Sequence, residues 1–465
     1  MALVIAGDRS GVGKTTVALA LNAALTARGR RVQTFKVGPD YIDPLFHSAI
    51  SGRPCYNLDP ILTSADYVQT CAKYYSQDAD DVLIEGVMGL FDGRSGTSEG
   101  STAAIAQLLN APILLVLDVQ KQAASVAALV YGFCHYHPAL RIAGVVLNRV
   151  GSDRHRQILE DALAPLGIPV LGVLYRDQQL ALPSRHLGLV PPHESAAFQA
   201  VGDRLAVLGC TCFDWLHLEP LCAPLSSLSP PLSSLPPLPS PLSSLSPPLS
   251  SLPPLPSPLN IGIAQDAAFH FYYTDALDVL RTLGATLIPV SPLRDPCLPP
   301  NLSGLILGGG FPEVFAAELS ANESFLSALR HSLQRGLPVY AECGGLMYLA
   351  QGIHTLEGQV YPLVGHLPTV AHMGDRLTLG YRTATALHAT PCVDQGQQVW
   401  GHEFHYSRVT PSPLSPLWHL NSLPEGWGSD DVHASYLHLH WGGHPEFAMK
   451  FLQRAAHFSR STHLC

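Results

Sequence analysis

The chain has 465 residues, with 47% apolar and 14% charged side chains and a formal net charge of -9. That length exceeds one ordinary hydrophobic core, so two domains are expected. The acidic balance argues against nucleic acid as a partner, and the absence of any apolar stretch of spanning length argues against a membrane. The ten cysteines are scattered. Cys210-Thr-Cys212 lacks the spacing and second pair of a zinc site, so these read as ordinary thiols in a reducing, cytoplasmic setting.

The chain opens on Ala2-Leu3-Val4-Ile5-Ala6, which runs directly into Gly7-Asp-Arg-Ser-Gly11-Val-Gly13-Lys14-Thr15-Thr16. An apolar run leading into a glycine-rich loop is a strand feeding a phosphate loop, not a secretion signal. Backbone N–H groups at Gly11, Gly13 and Thr16 would cradle the phosphates of ATP. Lys14 would reach the β- and γ-phosphates, and the Thr15 hydroxyl would hold Mg²⁺. The strict G-x-x-x-x-G-K-[ST] spacing fails by one residue, because Asp8 stands where the first glycine belongs. This longer loop resembles the dethiobiotin synthetase-like branch, whose members phosphorylate carboxylates.

Further β-rich runs follow at Arg31–Val37, Asp81–Gly86, Pro112–Asp118, Ile142–Asn148 and Pro169–Leu174, separated by helical patterns such as Lys14–Arg28 and Gly151–Leu166. Several runs are apolar throughout, as in a parallel sheet covered on both faces. The expected fold is α/β, with an N-terminal doubly wound parallel sheet. After the second run, Lys36-Val-Gly-Pro-Asp40-Tyr41-Ile42-Asp43-Pro44 groups a lysine and two acids beside the phosphates. Lys36 suits a polyanionic substrate. Asp40 is the choice for catalysis and metal binding, Tyr41 and Ile42 for shaping an acceptor pocket. Asp43, before proline, is either part of the site or a structural turn acid. His47 reads as a surface or packing residue.

Glu85 ends the run Asp81-Val-Leu-Ile-Glu85, where an acid in an open α/β sheet faces the ligand. It is assigned to Mg²⁺, directly or through water. Asp92, in Gly89-Leu-Phe-Asp92-Gly93, either holds a second ion, positions the acceptor, or simply closes a turn. Asn148 ends its run where a base-reading amide would sit.

Residues 224–240 read PLSSLSPPLSSLPPLPS and residues 241–257 repeat them without change. Proline and serine at this density give an extended, solvated linker. The division is then 1–222, a linker at 223–258, a second domain at 259–453 and a tail at 454–465. In that second domain strands are expected at Asn260–Gln265, Thr286–Val290, Gly304–Leu307 and Leu337–Ala341. Helices are expected at Thr274–Leu283 and Asn322–Arg335, and a β-rich stretch continues to about Trp441. This is a separate α/β domain.

Its central motif is Val339-Tyr-Ala-Glu-Cys343-Gly344-Gly345. A cysteine between a strand and two glycines that open a helix is a strained elbow that exposes its thiol, and the helix N-terminus favours the thiolate. Leu305-Ile-Leu-Gly308-Gly309-Gly310 puts bare backbone N–H groups after another strand. Gly309, Gly310 and Gly344 could form an oxyanion hole. The base must be a histidine. Tyr436-Leu-His438-Leu-His440 offers two, on one face if the segment is a strand. His402 and His405 come next and read as ordering their own loop. No third member can be placed, since His440 stands where a His-x-Glu acid would be.

Together these segments resemble the cobyrinic acid a,c-diamide synthase family of cobalamin biosynthesis. The matching stretches are Gly11–Thr16, Lys36–Pro44, Glu85–Gly93, Gly308–Glu313, Glu342–Gly345, Gly401–His405 and Tyr436–His438. The resemblance implies a phosphate-loop synthetase domain joined to a class I-type glutamine amidotransferase domain of the kind that works with Cys and His and lacks the acid. The Tyr-Leu-His match selects His438. The implied reaction is phosphorylation of the a and c acetates of cobyrinic acid by ATP with Mg²⁺. Ammonia released from L-glutamine at Cys343 then attacks each acyl phosphate, which requires the two sites to be connected away from bulk water. Hydrogenobyrinic acid and nickel-sirohydrochlorin compete as acceptors, and cobyric acid synthase is the nearest different enzyme. A homodimer is left open. A partition-type switch ATPase and a catalytically dead scaffold are the readings from other classes.

Overall fold

The computed structural model describes residues 2–176, 184–185, 188–189, 198–223, 259–420 and 423–462. The duplicated segment at 224–258 lies outside them. The chain divides into two compact units, one on either side of a division within that segment, after Pro241.

In the first unit the described residues form a seven-stranded sheet: β1 (Leu3–Gly7), β2 (Val32–Val37), β3 (Tyr56–Leu58), β4 (Asp81–Glu85), β5 (Ile113–Asp118), β6 (Ile142–Val150) and β7 (Val170–Tyr175), in the order β3-β2-β4-β1-β5-β6-β7. Every pairing is parallel. The six expected strands are present to within a residue or two. β3 was not expected: it is a three-residue edge strand just after Pro54, too short to carry a pattern. Strand β1 is wholly buried, as a central parallel strand covered on both faces must be. Helix α1 (Lys14–Ala27) is buried on almost every side, because the helix Phe198–Thr211 packs over it. A Cβ on Gly209 would lie 2.1 Å from the Ala20 carbonyl oxygen, so only glycine permits that approach.

Parallel order has one decisive consequence. The C-terminal ends of β1, β2 and β4 share one edge, with Ile5 in register with Glu85, and Lys36 with Glu85. Residues far apart in sequence therefore meet where the phosphate loop begins.

The second unit contains an eleven-stranded sheet among its described residues. Its parallel half is β8 (Leu259–Ala264), β10 (Ala285–Val290), β11 (Gly304–Leu307), β13 (Val339–Glu342) and β20 (Val432–Ser435), in the order β10-β8-β11-β13-β20. β9 (Phe269–Phe271) and β12 (Gly309–Gly310) make a small antiparallel ladder beside it. The remaining strands are β14 (Gly352–His354), β15 (Val360–Pro362), β16 (Val370–Ala386), β17 (Gln398–Thr410), β18 (Pro416–Leu420) and β19 (Leu423–Gly428). They extend the sheet mostly antiparallel. Here too three neighbouring parallel strands, β11, β13 and β20, end at one edge and deliver the glycine triplet, Cys343 and His438.

The separate tail expected from residue 454 is not what forms. One helix runs Pro445–Thr462, and Phe447, Phe451, Leu452 and Ala455 are buried in the domain core. The helix crosses the expected boundary because its apolar stripe continues past it. Among the described residues no helix is long and apolar enough to cross a membrane.

Candidate active sites

In the first unit, Gly13 takes φ 98° ahead of α1, the left-handed conformation that glycine adopts without strain. Lys14 is buried and folds back, donating to the carbonyls of Arg9 (3.2 Å) and Met88. Burial lowers its ammonium's affinity for a proton, and the nearby Lys36 adds to that. Thr15 donates its hydroxyl to Glu85 Oε1 at 2.7 Å.

Glu85 is the hub. It is fully buried and receives Thr15, Lys36 Nζ (3.0 Å) and His47 Nε2 (2.7 Å). Burial pushes its carboxyl up, but Lys36, His47 and Thr15 together outweigh burial and hold it below the usual carboxylate range. Lys36 also pairs with Asp43 at 2.6 Å and lies 3.7 Å from Asp40. Burial works against the Lys36 charge, yet Asp43, Glu85 and Asp40 hold it well above its ordinary value. Burial and the charges of Asp40 and Glu85 push Asp43 well up. Asp43 is thus part of the cluster and not a mere turn residue.

Asp40 accepts the Ile42 and Asp43 N–H groups through Oδ1 (2.9 and 3.0 Å), opening helix α2 (Asp43–Ser51), while Oδ2 faces Lys36. Tyr41 and Ile42 are buried. Asn57 pins the loop by donating to the Gly38 and Asp40 carbonyls at 2.8 and 2.7 Å. Asp92 accepts the Gly89 N–H at 3.0 Å, which is the turn-closing contact. Asn148 does not end its strand, since β6 continues to Val150. Its amide donates to the Val12 carbonyl at 2.7 Å and abuts Gly13, beside the phosphate loop, and its oxygen accepts the Arg149 N–H.

Two residues here escaped the sequence reading. His47, expected at the surface or in packing, is fully buried against Glu85, and its position one turn into α2 is the signal that could have found it. Asn57 lay in the unrecognised β3.

Three carboxylates, Glu85, Asp43 and Asp40, thus gather around Lys36, with the Thr15 hydroxyl on Glu85. Among the described residues no cluster of three or more His, Cys, Asp or Glu side chains is arranged to hold a metal ion.

In the second unit Cys343 sits at φ 47°, ψ −98°, a strained conformation for any residue but glycine, directly before the helix Gly344–Leu349. The expected elbow is present. Gly345 has no room for a side chain, since a Cβ there would lie 2.1 Å from the Leu307 carbonyl. The glycine triplet is close by: a Cβ on Gly344 would lie 3.1 Å from the Gly310 nitrogen, and one on Gly309 would lie 3.0 Å from His438 Cε1. The three glycines expected to form the oxyanion hole therefore converge on Cys343 and His438.

His438 is buried and hydrogen-bonds Cys343. Its Nδ1 lies 3.3 Å from Glu342 Oε2. Burial opposes a charged ring, but Cys343 and Glu342 overcome it and push His438 up to about 10. The Tyr436–His440 segment is not a strand; it is joined to β17 by an isolated bridge from His438 to His402. His438 and His440 consequently have different partners. His440 lies 3.7 Å from Asp275 and stacks on Tyr273 with ring centroids 4.3 Å apart. His402 and His405 lie on strand β17 and not in a loop. Burial and the nearby His438 lower His402 to about 3, and His405 stacks on Tyr436 at 3.9 Å.

Comparison with known proteins places these sites in a family. Residues 3–190 match a CobQ/CobB/MinD/ParA nucleotide binding domain, and residues 260–446 a CobB/CobQ-like glutamine amidotransferase domain. A cobyrinate a,c-diamide synthase of Synechococcus sp. is 54% identical over 97% of this chain and 98% of that protein. One of Gloeobacter violaceus is 47% identical over 98% and 97%. A hydrogenobyrinate a,c-diamide synthase of Streptomyces coelicolor is 43% identical over 97% of each. With both halves matched and both sites assembled at the ends of parallel strands, the chain belongs to the cobyrinate a,c-diamide synthase family.

Proposed function

We propose that this protein amidates the a and c acetate carboxylates of cobyrinic acid, using ATP to activate each carboxylate and glutamine as the nitrogen source. The full-length match to the 54%-identical relative carries the reading, because it includes both sites. In the first unit, Lys14 and the backbone of the phosphate loop would hold the ATP phosphates, and Thr15, Glu85 and Asp40 would hold Mg²⁺, which would offset charge on them. Lys36 would meet the acceptor's negative charge, while His47 steadies Glu85 and Asn57 steadies the loop that carries Asp40. The acceptor carboxylate takes the γ-phosphoryl group, ADP leaves, and the acyl phosphate becomes electrophilic.

In the second unit, Cys343 gives its proton to His438, and the thiolate attacks the side-chain carbonyl of glutamine. The resulting oxyanion would lie toward the Gly309, Gly310 and Gly344 N–H groups. As the C–N bond breaks, His438 returns the proton to the leaving nitrogen, so that ammonia departs and a thioester remains. Water then hydrolyses the thioester to glutamate and restores the thiol. Ammonia displaces phosphate from the acyl phosphate and forms the amide.

A cytoplasmic setting is part of this reading. A homodimer remains compatible with this reading. The Streptomyces coelicolor relative supports a second acceptor, the cobalt-free ring. Mass spectrometry of cobyrinic and hydrogenobyrinic acid, each incubated with the protein, Mg-ATP and glutamine, tests the reading. Two carboxyl-to-amide conversions are expected on the preferred ring. ATP hydrolysis with neither ring converted would overturn the proposed acceptors.

A further inference from the structure

The carboxylate that orients a catalytic histidine in this class is expected two residues beyond it, and His440 stands there. His440 cannot supply an acid, and it faces Asp275 instead. A different carboxylate faces His438. Glu342 ends β13, is buried, and directs Oε2 at His438 Nδ1 from 3.3 Å. Its other oxygen accepts the Leu439 N–H at 2.8 Å and the Tyr340 hydroxyl. The carboxylate is therefore held from the strand before the nucleophile and from the residue after the histidine. With Nδ1 turned to Glu342, Nε2 is left for Cys343.

We propose that Glu342, the residue immediately before the nucleophile, is the positioning acid of the glutamine site. It holds the His438 tautomer with the proton on Nδ1 and stabilises the imidazolium that forms when Cys343 gives up its proton. No further bond is made or broken: the proton passes from sulfur to Nε2 and then to the leaving nitrogen, and none passes to Glu342. The arrangement deepens the glutamine half of the proposed function and does not depend on which ring accepts ammonia. The titratable groups facing His438 are Glu342, Cys343 and His402, the last held neutral by burial.

The test is E342Q, which keeps the shape and the acceptor for Leu439 but presents an amide N–H to Nδ1. That favours the opposite tautomer, which cannot take a proton from Cys343. Glutamine hydrolysis should fall on the order of 10²-fold, the lower end of what a positioned base contributes, in kcat more than in KM. Ammonia-supported amide formation should persist. The deciding readout is the pH dependence of Cys343 alkylation by iodoacetamide. E342Q should react about tenfold more slowly than wild type at pH 6. E342D, which keeps the charge, should recover part of both, and it decides the matter if E342Q fails to fold. An alkylation profile identical to wild type in E342Q, or in E342D a loss with no change in that profile, would overturn the positioning role while leaving the amidotransferase reading intact. A wild-type protein unable to hydrolyse glutamine would overturn that reading and the positioning role with it.

Discussion

Both sites use the same sheet device, an apolar parallel strand that ends in a buried glutamate, for opposite purposes. Glu85 closes Asp81-Val-Leu-Ile-Glu85 and gathers a lysine, a histidine and a threonine hydroxyl. Glu342 closes Val339-Tyr-Ala-Glu342 and meets one histidine. The first cluster sets charges of both signs side by side, Lys36 among Glu85, Asp43 and Asp40 with Lys14 close by, as befits a place that works with a cation and a polyanion. The second is already complete among its own side chains, because its substrate, glutamine, has no net charge to balance. The electrostatics of a site thus reflect the charge of what it handles, even where the backbone device is shared.

The sharpest contrast between the regions comes from Lys14→Ala and Cys343→Ala. The first should reduce amide formation about 10³-fold or more with either nitrogen source, since a charge aimed at the phosphates is lost. The second should abolish glutamine use and leave ammonia-supported synthesis near wild type. Loss of the ammonia reaction in Cys343→Ala would break the division of labour between the two units.

A smaller effect is expected at His47. Removing the partner that orients Glu85 should cost about 10- to 100-fold in ATP-dependent turnover, as loss of groups supporting ligands generally does. Glutamine hydrolysis by His47→Ala should be unchanged. A fall in both would show that His47 stabilises the protein and does not serve one site.

The smallest effect concerns stability. Glu425 is half-buried, and loss of solvent around its carboxyl pushes it up to about 7, although Ser435 and the Tyr436 N–H hydrogen-bond it. A carboxyl raised on folding contributes stability that is full below its unfolded value and is lost as pH rises through the folded one. The apparent Tm of wild type should therefore fall relative to that of E425Q between pH 5 and pH 8. Parallel Tm curves across that range would show that Glu425 keeps its charge in the folded state.

Much of this was legible in the sequence. Continuous apolar runs announced both parallel sheets, and the glycine spacings announced the phosphate loop and the elbow. What stayed hidden was side-chain direction. Asn148 was legible as a polar residue near the end of its strand, but only the folded chain shows that it faces Val12. His47 looked like any helical histidine until register brought β4 beneath it. Glu342 carried the same signal that identified Glu85, an acid closing an apolar strand, yet attention to the usual spacing directed the search downstream of the histidine. The helix over Pro445–Thr462 was not foreseen: the domain was ended at residue 453, while its buried stripe, set by packing, crosses that boundary.

Having the nucleophile and its supporting acid as consecutive residues simplifies inheritance and engineering. One short peptide, Glu-Cys-Gly-Gly, carries two of the three functional groups, and its backbone turn fixes both at once. Transplanting the chemistry would require grafting this elbow together with the segment that carries the histidine. It also couples risks: any change that relaxes the turn at Cys343 would displace the sulfur and the carboxylate together, so variation at this elbow should be tolerated less than variation around the histidine.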